Sequence, residues 1–179
     1  MNELQEFDYC ISKKPEGKYR LCRILMVLGY VAFALAFFFG LYAMHLYQFI
    51  AFIVLVEWIV VFFTWRYVSI EYRYEMLSGR IKFFIIYGGR TKKLVLDARI
   101  KDYETIAPCD AATQTELEKQ SFESVYRFIS TERSYEDRYY AIFKNDSGND
   151  CIVYFEATQK ALKILKFYNM NTVVTDTRY

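Results

Sequence analysis

One carboxylate, Glu57, stands among eleven apolar residues in the stretch FIVLVEWIVVFF, residues 52–63. At the centre of a membrane an ionised carboxylate costs about 2.5 to 3.5 kcal/mol, so we expect Glu57 to be protonated, partnered or turned toward protein. The hydroxyl group of Tyr30, in the preceding apolar stretch, is a candidate hydrogen-bond partner. Three roles remain open for Glu57: a packing contact, a contact with another protein, or proton or ion handling.

The polar half of the chain offers no set of residues for catalysis. It lacks the phosphate-binding, dinucleotide-binding and zinc-protease motifs, and the single histidine, His45, lies in the apolar half. Carboxylates such as Glu136 and Asp137 are adjacent in polar sequence, which is typical of a solvated surface. The cysteines have no C-x-x-C spacing of the kind found in zinc or redox sites. We therefore predict no enzymatic activity, no catalytic residue, no metal and no cofactor.

Basic residues are concentrated just after the apolar half, at Arg80, Lys82, Arg90, Lys92 and Lys93. A basic side chain near an anionic membrane surface contributes about 1 kcal/mol, so this set could orient a domain on membrane lipids. The alternative is a solvated strand face that discourages pairing at a sheet edge. The net charge of +2 over 179 residues argues against nucleic acid as a partner.

The apolar half is long enough for two membrane spans. Between Ile24 and Trp65, His45 and Glu57 are the only residues among His, Asp, Glu, Lys and Arg. As one straight helix this block would be about 63 Å long, twice the hydrocarbon thickness of roughly 30 Å. We predict two helices, near 24–43 and 47–66, joined by a turn around residues 42–47. Small residues at Gly29, Ala32, Ala36 and Gly40 recur along the first helix and indicate a face for close helix packing, with the second helix as the nearest candidate.

The distribution of basic residues predicts the orientation of these spans. Five Lys or Arg residues lie between positions 13 and 23, and Arg66, Arg73, Arg80 and Lys82 follow the second span. The connecting turn has none. By the positive-inside rule both termini are cytoplasmic in a multi-pass protein of the cell membrane.

From residue 66 onward the pattern changes to that of a small antiparallel β domain. Val68, Ile70, Tyr72, Tyr74 and Met76 alternate with polar residues, as in a half-buried strand. Turns at 78–79 and 88–89 separate the next apolar runs, and a fourth strand ends at Pro108. Three strands follow a polar segment in which Thr113 and Glu116 form a possible capping box. Thr158 can cap a final amphipathic helix with an apolar face at Ala161, Leu162, Leu165 and Tyr168.

Four strands, three strands and a closing helix follow the order of the pleckstrin-homology (PH) superfold. With EYRYEMLSGRIKF, RTKKL, YYAIFKNDSGN and IVYFEAT as its most characteristic segments, the chain resembles bacterial two-pass membrane proteins in which a helical hairpin precedes a PH-like domain. The resemblance implies an α+β membrane protein: a two-helix transmembrane hairpin, then a seven-stranded PH-like antiparallel barrel or sandwich with a C-terminal helix. The final helix lacks the tryptophan typical of eukaryotic PH domains, and the phosphoinositide-binding basic pattern is matched only loosely, by Lys82 and Arg90-Thr91-Lys92. Phosphoinositide binding is therefore not implied.

We therefore expect a cytoplasmic N-terminal segment at residues 1–23, a transmembrane hairpin at 24–66 and a cytoplasmic PH-like domain at 67–179. The expected function is that of a membrane-anchored interaction or regulatory module, which binds a protein partner or forms a homo-oligomer. The alternative is an accessory subunit of a larger membrane complex that assembles through the transmembrane helices.

Overall fold

A computed structural model describes residues 6–145 and 147–174, and the chain divides into two units. The first unit, referred to below as the sheet unit, contains the described residues up to Lys13, residues 71–86 and the described residues from Lys92 onward. The second, the helical unit, contains Lys14–Ile70 and Tyr87–Thr91. The glycine turn predicted at residues 88–89 thus belongs to the helical unit.

The helical unit contains the apolar helices α1 (Gly17–Ala43) and α2 (Phe52–Thr64). Short 3-10 segments flank α2 at Tyr47–Phe49 and Trp65–Val68. Within the described ranges, α1 alone is both long enough and apolar enough to cross a membrane. Its 27 residues give a length of about 40 Å. The second transmembrane span stays a prediction, because α2 by itself has 13 residues.

The sheet unit contains two four-stranded sheets. The first has the order β1-β2-β3-β4 and the second the order β5-β7-β8-β6. The strands are β1 (Glu6–Ser12), β2 (Ile70–Leu77), β3 (Arg80–Tyr87), β4 (Thr91–Arg99), β5 (Tyr103–Pro108), β6 (Ser124–Phe128), β7 (Arg138–Lys144) and β8 (Asp150–Glu156). The helix α3 (Ala111–Leu117) precedes β6, and α4 (Gln159–Tyr168) follows β8.

The structure differs from the seven-stranded prediction in three respects. An eighth strand, β1, pairs antiparallel with β2. The Asp8 carboxylate on β1 forms an ion pair with the Arg73 guanidinium on β2 at 2.5 Å. The strand predicted to end the first set, β5, instead pairs with β7 in the second sheet. In addition, β6 runs parallel to β8 rather than antiparallel. These partners are distant in sequence, so local alternation of apolar residues could not identify them.

The core of the sheet unit joins the two sheets through aromatic side chains. The Phe83 ring of β3 stacks on Phe128 of β6 at 4.7 Å and meets Phe155 of β8 edge-on at 5.8 Å. The predicted cap of α4 is confirmed, since the Thr158 hydroxyl accepts a hydrogen bond from the Ala161 N–H. The predicted capping box at Thr113 is wrong: Asp110 caps α3, because its carboxylate accepts the Thr113 N–H at 2.8 Å.

Candidate functional site

Three of the five predicted membrane-surface residues are held in ion pairs within the sheet unit. Arg80 lies 3.0 Å and Lys82 4.0 Å from the Asp97 carboxylate, and Lys92 lies 2.5 Å from Glu75. These contacts neutralise much of the basic run along β3 and β4. They favour the solvated strand face over a lipid-contacting surface at these three positions.

Arg90 and Lys93 are not paired in this way. The Arg90 guanidinium lies over the Phe62 ring, 4.5 Å from its centroid, within the helical unit. Lys93 is exposed, and in the described part of the chain no carboxylate forms an ion pair with it. A role in contacting lipid headgroups therefore stays a prediction for Arg90 and Lys93.

The polar residues of the apolar helices do not contact each other as expected. The Tyr30 hydroxyl lies 2.7 Å from Thr64 Oγ1, so the prediction that Tyr30 hydrogen-bonds to Glu57 is wrong. Glu57 is half-buried, and its Oε2 atom is buried without a hydrogen-bond partner among the described residues. The three roles considered for Glu57 stay predictions.

The predicted helix-packing residues lie on an exposed surface of α1. Gly29, Ala32, Ala36 and Gly40 are exposed. In the part of the chain that the structure describes, no atom lies within 4 Å of a Cβ added at Gly29 or Gly40. The second helix is therefore not the partner of these two glycines. A packing role stays a prediction that needs another helix.

The candidate site that the sequence did not indicate is a cleft in the sheet unit, called here the edge cleft. It has a volume of about 480 Å³ and is lined by Leu96, Asp97 and Arg99 of β4, Ser124 and Tyr126 of β6, and Phe143 of β7. The strands β4 and β6 are terminal in their sheets. Terminal strands carry backbone N–H and C=O groups without a neighbouring strand, which can pair with an added strand.

The other end of the second sheet is already occupied. The N–H of Ile106 on β5 donates to the Thr172 carbonyl at 2.9 Å, and its carbonyl accepts the Val174 N–H at 2.8 Å. Residues after α4 thus cover β5 in the manner of a short parallel strand. Among the described strands, β6 is thus the end of that sheet with no further strand paired to it.

The walls of the edge cleft combine aromatic and charged groups. The Tyr126 ring stacks with Phe143, with centroids 6.4 Å apart, and provides an apolar surface. Asp97 is neutralised by Arg80, whereas Arg99 is exposed and forms no ion pair with a described residue. At one end, Lys144 lies 2.9 Å from Glu104, and this hydrogen bond raises the Lys144 pKa. The edge cleft therefore combines an aromatic wall with the Arg99 guanidinium and with the carboxylates of Asp97 and Asp102.

Two of the four thiols, Cys109 and Cys151, are buried in the core. Burial raises the pKa of the Cys109 thiol to about 11, which makes it a poor nucleophile near neutral pH. Within the described ranges, no three His, Cys, Asp or Glu side chains come together as a metal site. Nothing local in the sequence marks the edge cleft, because it depends on which strands end the two sheets.

Comparison with known families gave a match over most of the chain. A family model described as "Bacterial PH-like domain (DUF6106)" matches residues 7–175. The match includes α1 and α2 as well as both sheets. Comparisons with curated proteins and with solved structures gave no match.

Proposed function

Because the chain belongs to the family of bacterial PH-like domains, we propose that it is a non-catalytic, membrane-anchored interaction module. In this proposal α1 and the region of α2 cross the cell membrane, and both termini lie in the cytoplasm. The PH-like domain is held at the cytoplasmic surface, where the edge cleft binds an extended segment of a protein partner.

Exposed apolar side chains are the observation that supports the anchor. Of the 28 large apolar side chains that are exposed in the described part of the chain, 22 lie between Leu21 and Tyr67. Soluble proteins rarely expose contiguous apolar patches of more than a few hundred Å². No residue of α1 or α2 is buried within the chain. A lipid bilayer would cover this surface.

The backbone around α2 supports a second span. Ile50, Ala51 and Trp65 have right-handed helical dihedrals, so helical turns follow one another from Tyr47 to Val68. Twenty-two residues at the α-helical rise extend about 33 Å, enough for the hydrocarbon core. Lys18, Arg20 and Arg23 lie near the start of α1, and Arg66 lies in the last helical turn after α2. No Lys or Arg lies in the connecting turn, in agreement with cytoplasmic termini.

The edge cleft supports partner binding by strand addition. A peptide added beside β4 or β6 would gain backbone hydrogen bonds, while Tyr126 and Phe143 would contact an apolar side chain. Anchoring raises the local concentration of the domain near membrane-associated partners, so a weak contact is sufficient for function.

Site-specific photo-crosslinking in cells tests the binding of a partner segment in the edge cleft. A photoreactive phenylalanine derivative replaces Arg99 or Ser124 in the edge cleft, or exposed Lys163 on α4 as the matched control. The proposal predicts discrete adducts from positions 99 and 124, mapped to one segment of a partner, and none from position 163. Adducts of equal yield from all three positions, or none from the cleft, would contradict it.

The second candidate function is that of an accessory subunit assembled through its helices. The open surface around Gly29 and Gly40 and the unpartnered Glu57 Oε2 atom favour it. Co-purification in mild detergent separates the two functions. Loss of a partner on deletion of residues 66–179 favours the edge cleft, whereas loss on Glu57→Leu favours the helices.

A further inference from the structure

A second concave surface lies entirely within the helical unit, and we call it the α2 groove. It has a volume of about 390 Å³ and is lined by Trp58, Phe62, Trp65, Arg66, Ser69 and Arg90, among others. Trp58 and Phe62 come from α2 and Trp65 from the 3-10 segment that follows it, whereas Arg90 comes from the turn between β3 and β4. The groove thus brings cationic side chains from two segments beside an apolar wall.

Close backbone contact fixes the turn that carries Arg90. The Gly88 N–H donates to the Ser69 carbonyl at 2.7 Å. Gly88 has a φ of +59°, and a Cβ added there would lie 2.7 Å from Arg66 Cβ. Real Cβ atoms do not approach so closely, so this approach requires glycine. The position of Arg90 over the Phe62 ring follows from this contact.

The two guanidinium groups of the α2 groove lack anionic partners. Arg66 and Arg90 are exposed, and among residues 6–145 and 147–174 neither forms an ion pair with a carboxylate. Each instead packs on an aromatic ring, Arg66 on Tyr67 at 5.1 Å and Arg90 on Phe62 at 4.5 Å. Stacking on a ring leaves the N–H groups at the guanidinium edge free to donate hydrogen bonds.

We propose that the α2 groove binds one anionic phospholipid of the cytoplasmic leaflet. The headgroup phosphate would accept hydrogen bonds from Arg66 and Arg90, since planar guanidinium groups suit phosphate oxygens. The acyl chain would lie along Trp58 and Phe62, which are 64% and 40% exposed. The apolar wall favours a lipid over a soluble phosphate. This inference rests on the proposed membrane anchor but not on the edge cleft.

The two tryptophans of the chain make the site directly observable. The sequence contains two tryptophans, and both Trp58 and Trp65 line the α2 groove. Bromine atoms on an acyl chain quench tryptophan fluorescence at short range. The full-length protein is therefore reconstituted into phosphatidylcholine bilayers in which brominated phosphatidylglycerol, or brominated phosphatidylcholine at the same mole fraction, replaces part of the unlabelled lipid.

The proposal predicts stronger quenching by brominated phosphatidylglycerol, corresponding to a relative affinity of about fivefold or more over phosphatidylcholine. The double variant Arg66→Gln/Arg90→Gln should lose this preference while brominated phosphatidylcholine still quenches it, which shows that it remains inserted. The matched control Arg127→Gln/Arg133→Gln removes the same charge from exposed positions of the sheet unit and should keep the preference.

Three results would overturn the inference, and the third is distinguishable from the first two. Equal quenching by the two brominated lipids, or a preference unchanged in Arg66→Gln/Arg90→Gln, overturns the lipid site and leaves the anchor intact. Absence of quenching by either lipid overturns the membrane anchor and the lipid site together.

Discussion

The Tyr30 hydroxyl on α1 donates a hydrogen bond to Thr64 Oγ1 on α2, across 2.7 Å. Thr64 in turn donates to the carbonyl of Val60, at 2.6 Å, so its own proton is already used. Nearer the start of α1, the Arg23 guanidinium packs on the Trp65 ring at 5.4 Å. These contacts align α1 with the end of α2 in an antiparallel arrangement and leave Glu57 outside the polar pair.

The first prediction concerns the charge state of Glu57. Glu57→Gln keeps the shape of a neutral carboxyl group, so membrane insertion and steady-state amount should equal those of the wild type. Glu57→Lys introduces a charge that costs about 2.5 to 3.5 kcal/mol at the centre of a span, and it should reduce the inserted fraction. Carbonate extraction of membranes followed by immunoblotting measures the inserted fraction and the steady-state amount of each variant. Degradation or failed insertion of Glu57→Gln would rule out a neutral carboxyl group.

The second prediction concerns the turn that carries Arg90. Gly88 and Gly89 both have positive φ values, but a Cβ at Gly88 collides with Arg66, whereas one at Gly89 meets no described atom within 4 Å. Gly89→Ala should therefore cost only the left-handed backbone penalty, about 1–2 kcal/mol. Gly88→Ala should cost more, because the turn must also move. Thermal unfolding in detergent compares the two variants, and equal losses would show that the turn does not contact residue 66.

The third prediction concerns Arg138, a buried guanidinium in the sheet unit. It donates to Gln114 Oε1 at 2.8 Å and to the carbonyls of Thr131 and Ser134 at 2.7 and 2.6 Å. Arg138→Met leaves these acceptors unpaired, which should lower the free energy of unfolding by on the order of 3 kcal/mol. The control Arg127→Met removes an exposed pair with Glu118 and should change it by less than about 1 kcal/mol. Urea denaturation measures the free energy of unfolding of both variants. A similar decrease for Arg138→Met and Arg127→Met would contradict the structural role of Arg138.

The fourth prediction concerns thiol reactivity. Cys10 is exposed and Cys109 is buried with a pKa raised to about 11, so at pH 8 only about one Cys109 thiol in a thousand is ionised. Burial and the Glu71 carboxylate also raise the Cys10 pKa, but Cys10 is accessible to the reagent. A maleimide should therefore modify Cys10 in the native protein and Cys109 only after denaturation, as measured by peptide mass spectrometry. Because the Cys109 pKa is raised on folding, its contribution to stability is present below pH 9 and declines as pH rises toward 11. Rapid native labelling of Cys109 would contradict its burial.

Local patterns in the sequence predicted most individual elements. The sequence predicted that every second residue from Val68 to Met76 faces the core. The structure buries four of these residues, namely Val68, Tyr72, Tyr74 and Met76. The strand predicted at RIKFFIIY coincides with β3. These features depend on side-chain periodicity and capping, which operate over a few residues.

Features that depend on distant partners were not predictable. Residues Glu6–Ser12 form β1 because β2, some 65 residues later, provides the pairing edge. Asp97 neutralises Arg80 and Lys82 because β3 and β4 bring them together, and the sequence shows only a basic run with one acid in it. The edge cleft and the α2 groove likewise arise from residues that are separated in the chain.

Cysteine accessibility in intact cells tests the membrane anchor most directly. In a background with Cys10, Cys22, Cys109 and Cys151 replaced by serine or alanine, single cysteines are introduced at exposed Gln48, between the two apolar helices, or at exposed Ser147, between β7 and β8. A membrane-impermeant maleimide should label Gln48→Cys in intact cells and Ser147→Cys only after lysis. Labelling of Ser147→Cys in intact cells, with Gln48→Cys protected, would contradict a hairpin with cytoplasmic termini.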